Sequence, residues 1–176
     1  MTTRDTPLYT PYKSIGLVTD GKPFVINDMG GETFITVSIG GAFQVYRAAK
    51  LTLCLVSRKV PCGRNISLIA KGSGHDTYIA VDKLIYVYNR VEVVRTYEEH
   101  NAPILGMVLV GGLLLSYDLH GMVSLIDVKE RALQDKIDVA EMPMGDDGEP
   151  DFNSGKGQIT ACCHPMTYIN KFVFGF

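Results

Sequence analysis

The sequence has no surplus of basic residues. It contains 17 Lys and Arg against 19 Asp and Glu, which gives a net charge of -2 at pH 7. A protein that binds nucleic acid on its own usually carries excess positive charge, because neutralising phosphates supplies much of its affinity. The balance therefore argues against a stand-alone nucleic-acid-binding domain, and we expect any RNA contact to be weak or indirect.

The sequence also lacks long apolar runs. Gly, Asp or Lys interrupts its apolar segments well before the roughly 18 to 20 residues that a membrane span requires. The N-terminus is polar and has no apolar stretch of the kind found in signal peptides. These absences predict an intracellular protein with no membrane contact. In that setting we expect reduced thiols at Cys54, Cys62, Cys162 and Cys163.

Short runs of β-branched and aromatic residues, separated by Gly, Asn and Asp, dominate what is present. The pattern predicts a lone first strand at 14–18 and then strands in sets of four. The one predicted helical segment, at 129–133, is at most a single turn. The predicted strands of the four sets are 24–27, 34–38, 43–47 and 53–57; 66–70, 78–81, 84–88 and 93–97; 104–110, 113–116, 122–127 and 135–139; and 159–163 with 171–174.

The third strand of each complete set shows that the sets repeat. Tyr46 and Tyr88 are 42 positions apart, and Tyr88 and Ile126 are 38 apart. Repeats of about 40 to 45 residues with four strands each are typical of WD40 propeller blades. The sequence therefore predicts an all-β fold, a partial WD40-type β-propeller of about three and a half four-stranded antiparallel blades.

The predicted domain organisation follows from this repeat. Residues 1–13 form an N-terminal extension, and 14–176 form the partial propeller, with blades at about 24–57, 66–97, 104–139 and 159–176. Residues 144–158 are rich in glycine and carboxylates and are predicted to form a loop, which could dock a basic partner. Because closed propellers have 4 to 8 blades, we expect the chain to be part of a longer protein.

The third blade retains part of the WD40 pattern. His100 and Ser116 stand at the expected histidine and hydroxyl positions, and Ile126-Asp127 replaces the usual Trp-Asp ending. His120 falls where a buried Asp is expected, so the sequence predicts that the buried polar network of this blade is incomplete. In compensation, Ile126 is predicted to be buried between neighbouring blades.

The first two blades depart further from the pattern. In the second blade, Asp82 occupies the acidic position, Tyr78 replaces the hydroxyl and Tyr88 replaces the Trp. In the first blade, Thr36 and Tyr46 occupy the hydroxyl and Trp positions. We expect such blades to depend on apolar packing more than on buried polar networks.

We predict no catalytic, cofactor or metal site. Cys162 and Cys163 are adjacent on a predicted strand and His164 directly follows it, so neighbouring side chains point to opposite faces and cannot easily share one ion. A catalytic triad needs a nucleophile, a base and an acid in mutual contact, and the sequence suggests no such set.

The stretch from 164 to 175 resembles one family of WD-repeat proteins, the U3 small nucleolar RNA-associated WD-repeat protein of the UtpB subcomplex of the small-subunit processome. A His-Pro-x-Thr-Tyr-x-Asn-Lys pattern followed by an apolar strand is characteristic of its first propeller. Residues 12–17 and 94–100 are more weakly similar to the same family. The matching positions are His164, Pro165, Thr167, Tyr168, Asn170 and Lys171.

The resemblance implies a non-catalytic scaffold in the nucleus and nucleolus that acts in ribosome biogenesis and pre-18S rRNA processing. Its partners would be other protein subunits of a large ribonucleoprotein assembly, with no small-molecule substrate. The fold alone leaves open a propeller scaffold of another pathway, such as a membrane coat or substrate recognition by a ubiquitin ligase.

Overall fold

A computed structural model describes residues 16–138, 159–165 and 171–175 of the chain. These residues form 14 strands. The strands are β1 Val25–Met29, β2 Glu32–Ile39, β3 Ala42–Arg47, β4 Thr52–Val56, β5 Leu68–Lys71, β6 Asp76–Val81, β7 Leu84–Asn89, β8 Glu92–Tyr97, β9 Ile104–Val110, β10 Leu113–Asp118, β11 Met122–Asp127, β12 Ala132–Asp138, β13 Ala161–Cys163 and β14 Val173–Gly175.

The strands pair only with their neighbours in sequence. Three four-stranded antiparallel sheets, β1–β4, β5–β8 and β9–β12, are followed by the two-stranded sheet β13–β14. We call the complete sheets blades 1, 2 and 3. This arrangement confirms the all-β, partial-propeller prediction, because each blade is a meander of four strands and the described sheets do not close into a ring.

Glycines form the tight turn of the first hairpin, between β1 and β2. Gly30 and Gly31 join β1 to β2 with φ angles of 61° and 80°, a conformation that favours residues without a Cβ atom. Elsewhere the turns force other residues into the same region. Leu51, Arg90 and Arg131 have φ angles of 47°, 56° and 50°, and each lies in the turn between the third and fourth strands of its blade.

The core is divided between the seams where blades meet. Strand alternation directs one face of a blade toward the preceding blade and the other face toward the next. Between blades 1 and 2 the cluster contains Phe43, Val60, Ile66, Ile69, Ile79, Val81, Tyr86 and Tyr88. Between blades 2 and 3 it contains Ala70, Tyr78, Ala80, Ile85, Val87, Tyr97, Ile104, Leu114, Ile126 and Val128.

A third cluster continues the stack beyond blade 3. Leu115, Tyr117, Val123 and Ile159 are buried together, and Phe174 of β14 packs edge-on against Tyr117. Tyr117 passes so close to Gly106 that a Cβ atom there would lie 2.3 Å from the Tyr117 ring. The absence of a side chain at Gly106 therefore leaves room for the Tyr117 ring to pack directly over the backbone of β9.

The other face of blade 1 packs against no blade in the part of the chain that the structure describes. Phe24, Ile26 and Leu53 lie on this face and are 60%, 55% and 51% exposed. They contrast with Val25 and Val45, which face blade 2 and pack against its apolar cluster.

The predicted strands agree with the observed ones to within a few residues, with one exception. Residues 16–18, the described part of the predicted lone strand at 14–18, are not in a strand. They run alongside blade 1, where the Val18 N–H donates to the Tyr46 hydroxyl oxygen at 3.4 Å. The predicted extension at 1–13 and the loop at 144–158 lie outside the described residues. Over the described ranges, no helix is long and apolar enough to cross a membrane.

Candidate functional site

A chain of four buried polar side chains joins blade 3 to the segment that enters it. The neutral His100 ring donates from Nδ1 to Asp118 Oδ2 at 3.0 Å and accepts at Nε2 from the Ser116 hydroxyl at 2.8 Å. The Ser124 hydroxyl lies 2.6 Å from that of Ser116. All four residues are at most 2% exposed. Each polar group therefore exchanges its water contacts for protein partners, as burial requires.

The acid of this network is Asp118, and the prediction that the network is incomplete is wrong. Besides His100, the Asp118 carboxylate accepts the backbone N–H groups of His120 and Met122 at 2.9 and 3.1 Å. His120 itself is an exposed turn residue. The acid comes two residues earlier than the repeat pattern suggests, because strand alternation places Asp118 on the same face as Ser116.

The burial of His100 also fixes its charge state. Burial lowers the pKa of His100 below its ordinary value of 6.5, although the hydrogen bond that His100 donates to Asp118 acts in the opposite direction. Desolvation disfavours the imidazolium form more than the single carboxylate stabilises it. We therefore assign a neutral ring that is protonated at Nδ1, the tautomer that both hydrogen bonds require.

This assignment predicts a loss of stability in mild acid. The unfolded chain protonates His100 below about pH 6.5, whereas the folded chain resists protonation until a lower pH. The contribution is therefore fully present above about pH 6.5 and is lost as the pH falls toward the folded-state pKa, by at most about 1.4 kcal/mol per pH unit. Thermal melts between about pH 7 and pH 5 should show a steeper decline for the wild type than for His100→Gln.

His120→Gln serves as the control for that series, because it removes a histidine that lies outside the network. It should keep the wild-type pH profile. Equal slopes for the wild type and His100→Gln would contradict the assignment. The carboxyl group of Asp127 does not confuse the result: hydrogen bonds from the backbone N–H groups of Glu130 and Lys129 lower its pKa from 3.8, so it titrates below this range.

Ser116, His100 and Asp118 have the connectivity of a catalytic triad, a set that sequence reasoning did not foresee. A triad acts only when substrate reaches the nucleophile and a donor pair stabilises the oxyanion. Ser116 is 0% exposed, and its hydroxyl is held both by His100 Nε2 and by the Ser124 hydroxyl, which itself lies 3.1 Å from that ring nitrogen. No acyl group can reach it in this arrangement, so the three side chains stabilise the blade.

Two hydroxyl positions assigned by sequence are offset by one residue. Tyr78 belongs to the cluster that faces blade 3, whereas its neighbour Ile79 faces blade 1. Ser116 faces its preceding blade, so the equivalent residue in blade 2 is Ile79. Thr36 is offset in the same way, because it faces blade 2 with Val45, its partner across the strands.

The remaining predicted blade positions all have structural contacts. Asp82, with a φ angle of 57°, lies in a turn and pairs with Arg64 at 2.6 Å on the surface, so it contributes nothing to a buried network. Asp127 caps the turn after β11 by accepting the N–H groups of Lys129 and Glu130 at 2.7 and 3.0 Å.

Both third-strand aromatics are buried. Tyr88 is fully buried, packs edge-on against Phe43 of blade 1 at 5.2 Å, and donates from its hydroxyl to the Arg58 carbonyl at 3.2 Å. Tyr46 is 4% exposed and donates to Gln44 Oε1 at 2.7 Å. Ile126 is 0% exposed in the seam between blades 2 and 3, which confirms the prediction of its burial.

A bidentate ion pair across the same seam escaped sequence analysis. Arg131, in the turn between β11 and β12, donates from Nε and Nη2 to the two carboxylate oxygens of Asp76 in blade 2, at 2.7 and 2.9 Å. Asn89 donates to the same carboxylate at 2.7 Å. The Asp76 side chain is 3% exposed, so its carboxylate is shielded from solvent, whereas the Arg131 side chain is 37% exposed. No sequence pattern links two residues that are 55 positions apart.

The residues that carried the family resemblance are only partly described. The His164 ring lies 5.4 Å from that of Phe172, and Pro165 is partly buried beside it. Lys171 is exposed, and Thr167, Tyr168 and Asn170 lie outside the described residues. Within residues 16–138, 159–165 and 171–175, no group of three or more His, Cys, Asp or Glu side chains is placed to hold a metal ion.

Four-stranded blades in chain order, packed through apolar seams, define a partial β-propeller of the WD40 type. The chain is similar to two curated proteins over nearly its whole length. It is 23% identical to the U3 small nucleolar RNA-associated protein 21 homolog of Schizosaccharomyces pombe over 98% of the chain. It is 25% identical to human WD repeat-containing protein 36 over 96% of the chain. These matches confirm the family resemblance seen in the sequence.

A further relative and one solved structure match over shorter stretches. Over 49% of the chain, it is 30% identical to the U3 small nucleolar RNA-associated protein 21 of Saccharomyces cerevisiae, of which it covers 9%. The WD40 β-propeller domain of Doa1 matches 63% of this chain and 38% of its own, with a TM-score of 0.48 and 15% identity. No protein-family model matches the chain.

The chain spans 18% and 17% of the lengths of the Schizosaccharomyces pombe and human relatives. The first of these relatives is named for its association with U3 small nucleolar RNA, and the second for its WD repeats.

Proposed function

We propose that this chain is part of a non-catalytic scaffold of the small-subunit processome, which acts in the nucleolus in pre-18S rRNA processing through protein–protein contacts. The observation that carries the proposal is its similarity, over 98% of its length, to a protein named for association with U3 small nucleolar RNA. The fold adds support, since rigid blades hold variable loops over a broad surface.

The chemistry of the described residues favours assembly over catalysis. The one triad-like set, around His100, is fully buried. The net charge of -2 supplies no electrostatic attraction for RNA, so partner proteins would hold the chain beside the RNA.

The test uses the full-length protein in its own cells. An affinity-tagged copy should coprecipitate U3 RNA, and depletion of the protein should lower mature 18S rRNA while the large-subunit rRNAs are maintained. A depleted strain should be rescued by the wild type and by Leu105→Asp, an exposed change, but not by Ile126→Asp, which disrupts a seam. If the tagged protein recovers no U3 RNA and 18S rRNA is unchanged on depletion, the proposal fails, and a scaffold of another pathway takes its place.

A further inference from the structure

The seam between blades 1 and 2 is filled over only part of its length. Below the packed Phe43–Tyr88 pair it opens into a slot of about 260 Å³. The lining of the slot is mainly apolar, with Phe34, Val45 and Leu55 from blade 1, and it also includes polar residues from blade 2. Small-molecule pockets usually measure about 300 to 1,000 Å³, so this slot has the size for one or two side chains.

Comparison of the two seams explains why the slot exists. The same 42-residue offset that relates Tyr46 to Tyr88 relates Thr36 to Tyr78, which pair with Val45 and Val87 in the same register. In the seam between blades 2 and 3, the Tyr78 ring fills this position and is 0% exposed. In the seam between blades 1 and 2, the smaller Thr36 leaves the corresponding space open.

The charges of the two seams differ at the equivalent place. Asp76 of blade 2 accepts Arg131 from the next blade, and the same offset places Phe34 at the corresponding position of blade 1. Arg90, which like Arg131 has a positive φ angle in the turn after the third strand, therefore meets no carboxylate on blade 1. Among the described residues, the Arg90 guanidinium contacts His75 Nε2 at 3.4 Å.

In the seam between blades 2 and 3, the Tyr78 ring fills this space and the Asp76 carboxylate pairs with the arginine. The slot between blades 1 and 2 has no equivalent of either group among the described residues. Asp76 also borders the slot, but Arg131 and Asn89 already hold both of its carboxylate oxygens. The guanidinium of Arg90 is consequently the charge available to an incoming group, and guanidinium groups bind carboxylates through two parallel hydrogen bonds.

We propose that this slot binds an extended segment of a partner protein in which an apolar side chain neighbours an Asp or Glu. The apolar side chain occupies the space beside Thr36, and the carboxylate pairs with Arg90. The inference rests on the proposed function only in taking the partner to be a protein of the assembly. An RNA phosphate is a poorer occupant, because the slot is mainly apolar and the chain carries net negative charge.

The experiment pans phage-displayed random dodecapeptides on the immobilised full-length protein, and then measures fluorescence polarisation with the recovered peptides. The recovered peptides should place Asp or Glu within two residues of Phe, Leu, Ile or Met. Arg90→Glu should weaken their binding by about tenfold or more, since it replaces a charge-assisted pair by repulsion. Thr36→Tyr, which fills the slot as Tyr78 does in the next seam, should weaken it by a similar factor.

Lys83→Glu is the matched control, because it makes the same charge change at an exposed residue of the same blade. It should leave peptide binding within about twofold. Arg90 is exposed, so Arg90→Glu should fold normally. Its peptide binding therefore tests the proposal even if Thr36→Tyr does not fold.

The inference is wrong if no peptides are recovered, if they lack acidic residues, or if they bind Arg90→Glu and the wild type equally. It is also wrong if a single-stranded oligouridine binds in an Arg90-dependent way while no peptide does. Recovery of U3 RNA by the tagged protein is measured separately, so either proposal can fail while the other stands.

Discussion

Ile126→Asp should abolish the stable packing of blade 3 on blade 2. The wild-type side chain is 0% exposed among Leu114, Ile104 and Val128. A carboxylate at this position would be buried without a cation or a hydrogen-bond donor, which costs several kcal/mol of the typical margin of about 5 to 15 kcal/mol. The melting temperature should fall on the order of 10 °C, and soluble yield should fall with it. Differential scanning calorimetry of the wild type and the variant measures the effect.

Two companions separate burial from charge. Ile126→Val removes one methylene group and should cost about 0.5 to 1.5 kcal/mol. Leu105→Asp introduces the same charge at a residue of the same blade that is 39% exposed, and should change the melting temperature little. If Leu105→Asp and Ile126→Asp are equally damaging, the position of Ile126 in the seam is not the reason.

The second large effect is expected from Asp118→Ala. Its carboxylate accepts hydrogen bonds from His100 and from the backbone of His120 and Met122. Removing it leaves three buried or partly buried donors without an acceptor, at a cost of about 1 kcal/mol or more for each. The free energy of unfolding should therefore fall by about 3 kcal/mol, and His100 should lose the partner that sets its tautomer. Urea unfolding and the nitrogen chemical shifts of the imidazole measure the two consequences.

His120→Ala is the control for Asp118→Ala, since it alters the position where the sequence pattern places the acid. The side chain of His120 is exposed, and its backbone N–H remains available to Asp118. We expect a change within about 0.5 kcal/mol. A large loss for His120→Ala, together with a small one for Asp118→Ala, would show that the acid of the network had been misidentified.

The strands were predictable because their determinants are local. β-Branched and aromatic runs that alternate with Gly, Asn and Asp mark strands and turns without any long-range information. The 42-residue spacing of Tyr46 and Tyr88 then identified the blade as the repeating unit. Ile126 could be assigned to a seam for the same reason, since a position in the repeat also fixes a face of the strand.

The buried polar network was only half predictable. The WD40 pattern correctly predicts His100 and Ser116, but it places the acid at His120, directly before Gly121, instead of at Asp118. Alternation along β10 would have given the answer, since Asp118 lies two residues from Ser116 and shares its face. The hydroxyl position of blade 2 was also predicted one residue too early, at Tyr78, which pairs with Val87 and faces blade 3, whereas Ile79 faces blade 1.

The ion pair between Asp76 and Arg131 could not have been predicted. It depends on a turn of one blade reaching the first turn of the preceding blade, a contact that exists only after the blades have stacked. Single-sequence reasoning gives the period of the blades, but neither the twist of each sheet nor the reach of a side chain across a seam.

The unequal seams determine how this stack of blades comes apart. In arrays of repeats, each unit contacts only its neighbours, so cooperativity depends on the strength of each junction. Blades 2 and 3 share a filled apolar junction with a bidentate ion pair, whereas blades 1 and 2 share one that is partly empty. We therefore expect blades 2 and 3 to behave as one cooperative unit, with amide hydrogens that exchange together, and blade 1 to separate at lower free energy. The seam between blades 1 and 2, where we propose that a partner binds, is then also the seam that opens most often.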